Sequence, residues 1–165
     1  MTPSVMLSSC AKAATAAESK FRIDAPVESR RGRIIALDSA AAEVARSVAE
    51  HEWVSARFFA CEVVSPGIEG GEVLLRHLDG TPAVLADELD GTHVVVMIAT
   101  EDSGSDSAYA VGRACWERSI MTAGVVVGGD RDADLAVAAL RPHARVLLPT
   151  ADESDVVDLL TALRV

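Results

Sequence analysis

Chemistry-bearing side chains concentrate in one stretch of this sequence. From Thr100 to Ser107 the chain reads TEDSGSDS: one glycine, four hydroxyls and three carboxylates. Hydroxyls and backbone N–H groups around a glycine are the groups that cradle a phosphate. The carboxylates of Glu101, Asp102 and Asp106 repel an anion. A bound divalent cation, which takes carboxylate oxygens, would reconcile the two. The same residue types serve a plainer purpose as well, since Ser and Asp cap the free N–H groups of a helix that follows them.

A second turn of this kind is Leu37-Asp38-Ser39-Ala40-Ala41-Ala42. It contains no glycine, so neither a dinucleotide fingerprint nor a P-loop stands there. The candidate ligand-binding set is Asp38, Ser39, Thr100, Asp102, Ser103, Gly104, Ser105, Asp106 and Ser107. Its candidate ligand is GTP or another nucleotide with Mg.

Catalysis finds less support. No G-x-S-x-G elbow surrounds Ser103 or Ser105, and no histidine has a defined place beside them. His93 and His143 each precede an apolar run and read as structural. No two of the four histidines stand four apart, so a zinc site gains no support. Cys115, inside a helix next to Trp116, reads as an inert packed thiol. A receiver-type phosphoacceptor fits Asp38 but needs a late lysine, and the only lysines are Lys12 and Lys20. No catalytic or metal residue is assigned, and binding is expected rather than turnover.

The elements that position these loops follow from apolar patterning. His93–Ala99 is a continuous apolar run without alternation, which suits a strand buried on both faces of a parallel sheet. Gly32–Asp38, Ala56–Val64, Thr122–Val127 and Ala144–Leu148 are the other expected strands. Helices are expected over Ser39–Glu50 with Ser39 as N-cap, and over Thr81–Leu89 with Pro82 in its first turn. Ala108–Ser119, Asp132–Leu140 and Asp152–Leu163 complete the helices. On Ala108–Ser119, Tyr109, Val111, Gly112, Cys115 and Trp116 form the expected packing face. Glu72–Leu78 reads equally as a short strand or a helical turn. Ser65-Pro66-Gly67, Gly70-Gly71 and Gly128-Gly129-Asp130 mark loops. Alternating strands and helices imply an α/β fold, Rossmann-like and doubly wound. Its sheet would be mostly parallel, of about five strands, with helices on both faces.

Residues 1–29 are rich in Ala and Ser and lack a clear period, so a flexible or partly helical arm is expected before a single domain over 30–165. Leu7-Ser8-Ser9-Cys10 matches the small-residue pattern before a lipoprotein cysteine, but no Lys or Arg precedes it. Three cysteines, none in CxxC spacing, read as free thiols of a cytoplasmic protein. The net charge of −10 argues against a general nucleic-acid or anionic-membrane surface.

From Gly32 to Pro149 the pattern resembles the nucleotide-binding half of the FtsZ/tubulin family. The resemblance is carried by the strand His93–Thr100, the loop Ser103–Ala108, the helix Ala108–Ser119 and the strand MTAGVVVG at Met121–Gly128. Asp132–Leu140 followed by Val146-Leu147-Leu148-Pro149 extends it. The family's first glycine loop aligns with Asp38–Ala42, which has no glycine, and its phosphate loop keeps only Gly104. The family's long central helix and its hydrolysis-completing acidic loop have no counterpart here. The resemblance thus implies a degenerate member: a regulatory or assembly module with a protein partner or self-association. The alternative it implies is a GTP- or small-ligand-binding protein using Thr100–Ser107.

Overall fold

The structure, a computed structural model, describes residues 28–62, 73–128 and 133–165. The expected N-terminal arm with its Leu7–Cys10 match, the Ser65–Gly67 turn and the Gly70–Gly71 pair lie outside these residues. So do Gly129, Asp130 and the expected helix start at Asp132.

The apolar runs become the parallel centre of one sheet. The strands are β1 (Gly32–Ala36), β2 (Ala56–Cys61), β3 (Leu74–His77), β4 (Pro82–Val84), β5 (Val94–Ala99), β6 (Met121–Val127) and β7 (Val146–Ala151), in the spatial order β4-β3-β2-β1-β5-β6-β7. β2, β1, β5, β6 and β7 run parallel, and β3 and β4 add antiparallel pairings. Every residue of β1 and β5 is buried, as a strand covered on both faces requires.

The helices are α1 (Ser39–Ala49), α2 (Leu85–Glu88), α3 (Ser105–Glu117), α4 (Asp134–Leu140) and α5 (Glu153–Leu163). Alternate strand residues point to opposite faces, and each face has its own core. Ile35, Val95 and Met97 meet Val111 and Cys115 of α3 and Leu140 of α4. Ile34, Val96 and Ile98 meet Ala45 and Val48 of α1 and Leu160 of α5.

The sheet has seven strands rather than five, and the difference lies in one hairpin. Residues 81–89 are not a helix throughout. Pro82–Val84 is a strand paired antiparallel with β3, and only Leu85–Glu88 is helical. Asp79-Gly80 makes the turn. Gly80 has φ +94°, a conformation that glycine adopts without strain, and the Asp79 carboxylate accepts from Thr81 N. Pro82 lacks an N–H and is tolerated because β4 is an edge strand. β7 likewise continues through Pro149 at the opposite edge, with a register shift against β6.

On α3 the buried stripe is Ser107, Ala108, Val111, Gly112 and Cys115. Tyr109 and Trp116 do not join it: they are 57% and 75% exposed. About 100° of rotation per residue carries both off the sheet-facing side. Cys115 is fully buried, and burial pushes its thiol up to about 12. Among the described residues, no helix is long and apolar enough to cross a membrane.

Candidate functional site

Strand order reverses between β1 and β5. From β1 the chain goes outward to β2, and from β5 it goes the other way to β6 and β7. The helices that leave these two strands, α1 and α3, diverge over opposite faces and leave a crevice at the carboxyl ends. A cleft of about 510 Å³ lies there. Asp38 and Ser39 line it at the start of α1, Glu43 and Arg46 further along that helix, and Cys61 at the end of β2. Glu101, Ser103, Asp106 and Ser107 line it from the β5–α3 side. Thr100, Asp102, Gly104 and Ser105, expected in the same set, are not on its wall, and each has another place.

Asp38 organises the crevice. It is extended, at φ −142° and ψ 171°, and it is the N-cap of α1, in place of the expected Ser39. Its Oδ1 accepts from Ala41 N at 2.7 Å and from the Thr100 hydroxyl at 2.6 Å. Its Oδ2 accepts from Thr100 N at 2.7 Å and from Glu101 N at 3.3 Å. A carboxylate offers about four lone-pair positions, so this one is fully engaged. Its donors are the N–H groups that a helix start and a strand end would otherwise present to a bound anion.

The β5–α3 connection is built differently from a phosphate loop. Asp102–Gly104 forms a 3-10 turn, and α3 begins at Ser105 with no side-chain cap. The expected capping of this helix by loop Ser and Asp residues is therefore not made. Asp102 instead caps a different helix, its Oδ1 accepting from Ala136 N of α4 at 2.9 Å. Gly104 is buried against the end of β1. A Cβ there would lie 2.7 Å from Leu37 Cβ and 2.8 Å from Leu37 O, so the glycine permits chain packing. The Ser103 hydroxyl donates to Glu101 Oε1 at 2.8 Å.

Charge in the cleft is mostly negative. Glu43 is paired with Arg46, the one cation on the wall among the described residues, and Glu101 and Asp106 add two further carboxylates. The Cys61 thiol is half-buried. Burial raises its pKa, against a smaller lowering by the Ser107 hydroxyl and in concert with Glu62. A thiol held protonated is a poor nucleophile. Among the described residues no histidine lines the cleft, so neither Ser103 nor Ser107 meets an imidazole base from them there. His93 Nδ1 accepts from Arg31 N at 3.0 Å, a structural role. Among the described residues, no group of three or more His, Cys, Asp or Glu side chains converges to hold a metal ion.

Sequence reasoning missed Glu43, Arg46 and Cys61. The first two had a signal: Ser39, Glu43 and Arg46 recur at spacings of four and three, which is one face of a helix. Cys61 had none, because its approach to Ser107 crosses from β2 to α3.

Compared with known proteins, the chain matches no protein-family model and no curated protein.

Proposed function

We propose that this chain is a non-catalytic binding or regulatory module, on a Rossmann-like, doubly wound scaffold, acting through contacts rather than turnover. Its ligand cleft is the crevice between α1 and α3. The observation that carries the reading is the Asp38 carboxylate, which engages the N–H groups of Ala41, Thr100 and Glu101. An internal anion stands where a phosphate loop would hold an external one. The FtsZ/tubulin-like kinship belongs to the same proposal, as a scaffold of that family whose phosphate loops have become self-satisfied. The carboxylates of Glu101 and Asp106 favour a ligand bearing positive charge.

A thermal-shift panel tests this. GTP, ATP, NAD and FMN, with and without Mg²⁺, are expected to leave the melting temperature unchanged. Arginine, agmatine or spermidine is expected to raise it, and Glu101→Gln with Asp106→Asn to abolish the rise. If no amine stabilises the protein, the cleft reading fails. A second reading, nucleotide binding at Thr100–Ser107, is favoured by the position of the crevice where strand order reverses. It predicts stabilisation of about 2.7 kcal/mol at 100 times the dissociation constant.

A further inference from the structure

The amino ends of β6 and β7 carry a second cleft, at the other end of the sheet from the crevice. It encloses about 350 Å³, near the lower end of the roughly 300–1,000 Å³ typical of small-ligand sites. Trp116, Ser119, His143 and Arg145 line it together with Gly112 and Met121. Three features assemble it. Gly112 lets the His143 ring pass close beneath α3, since a Cβ there would clash with the imidazole. Tyr109 meets the same ring edge-on, with centroids 5.5 Å apart. Thr122 of β6 holds the turn that carries both His143 and Arg145. Its hydroxyl donates to His143 O, and its own carbonyl accepts from Arg145 N at 2.9 Å.

The resulting surface is unusual for this chain. The Trp116 indole is 75% exposed, so the core does not use it. Arg145 makes no ion pair among the described residues, although the protein carries ten excess negative charges. His143 Nε2 is buried without a hydrogen-bond partner among the described residues. A flat aromatic wall beside one uncompensated guanidinium matches a planar ring bearing one negative charge. A polyanion is poorly matched, because Arg145 is the only Lys or Arg on the wall among the described residues.

We infer that this cleft binds a small aromatic monoanion, whose ring stacks on Trp116 and whose carboxylate pairs with Arg145. The site is independent of the crevice between α1 and α3 and does not rest on the function proposed for it.

Benzoate and 4-hydroxybenzoate are the probes, with benzamide and cyclohexanecarboxylate as controls that lack the charge or the ring. Trp116 fluorescence is read in a Trp53→Phe background, because Trp53 packs on the α1 and α5 face. Calorimetry on the unaltered protein gives a second readout that does not depend on that substitution. Saturable quenching by both aromatic acids is expected. Affinity should be at least tenfold weaker for the two controls, and at least tenfold weaker for Arg145→Ala and for Trp116→Ala. Both substituted side chains are exposed, so the fold should persist. No saturable binding up to about 10 mM, a range that covers even weak sites, would overturn the inference. So would equal binding of benzamide, or affinity unchanged in both variants.

Discussion

Two carboxylates at opposite ends of the sheet tie separate elements together, by different chemistry. At the carboxyl ends, Asp38 receives backbone N–H groups and one hydroxyl, all neutral donors. At the amino ends, Glu88 of α2 receives cations. Its Oε2 lies 3.2 Å from Arg33 Nε of β1 and 3.3 Å from the Arg57 guanidinium of β2. His77 of β3 stands 4.0 Å from Oε1. Arg33 is buried at 6% exposure, and burial lowers its pKa while Glu88 opposes the shift. The comparison separates two ways of holding a charge. Neutral backbone donors left bare at a partly open crevice can turn to water. A buried guanidinium left without its counter-charge has no such recourse.

The largest effect is therefore expected at the amino end. Glu88→Gln should destabilise the protein by about 3 kcal/mol, the lower part of the range for a broken buried pair, because Glu88 itself is 14% exposed. Urea denaturation measures this as a fall in midpoint at constant slope. A loss no larger than that of Asp38→Ala would remove the distinction between the two ends.

Asp38→Ala should cost about 2 kcal/mol, through lost charge-assisted hydrogen bonds and a lost N-cap. Amide hydrogen exchange should quicken at Ala41, Thr100 and Glu101 while the amides around Glu88 stay protected. Asp102→Ala removes one cap from α4 and should cost about 1 kcal/mol, with exchange quickening at Ala136 alone.

The smallest effect belongs to an exposed carboxylate. Asp152 caps α5 reciprocally with Asp155. The Ser154 hydroxyl, then the Asp155 N–H, hold its pKa below the ordinary 3.8. A depressed folded pKa means that this contribution is complete above pH about 4 and is lost as pH falls through the folded value. Melting temperatures of the protein and of Asp152→Asn should converge below that range. Curves that stay parallel would show that the cap does not depend on its charge.

The legible part of this architecture was the part written in consecutive residues. β5 is a continuous apolar run without alternation, as a twice-covered strand requires, β1 is a shorter apolar run, and α5 carries acids in its first turn. Glu72–Leu78 fits a strand or a helical turn equally, and the second strand of the hairpin reads as a helix although Asp79-Gly80 signals a tight turn, because Thr81-Pro82 followed by apolar residues also fits a helix start. Asp38 was singled out, but its role was not readable, since its partners Thr100 and Glu101 lie 62 and 63 residues away. Asp102 meets Ala136 across 34 residues, and nothing local distinguishes that contact from capping of α3. The residue types in the loop fitted several uses, and only tertiary geometry selected among them.

The span of the Asp38–Thr100 contact also bears on the order of events in folding. It forms only once β5 lies beside β1, a closure across 62 residues, and we expect it to follow rather than lead that pairing. An interaction formed late leaves the folding rate nearly unchanged when removed and accelerates unfolding instead. Stopped-flow chevrons of Asp38→Ala should show the change on the unfolding limb, which makes this carboxylate a determinant of how long the folded state lasts.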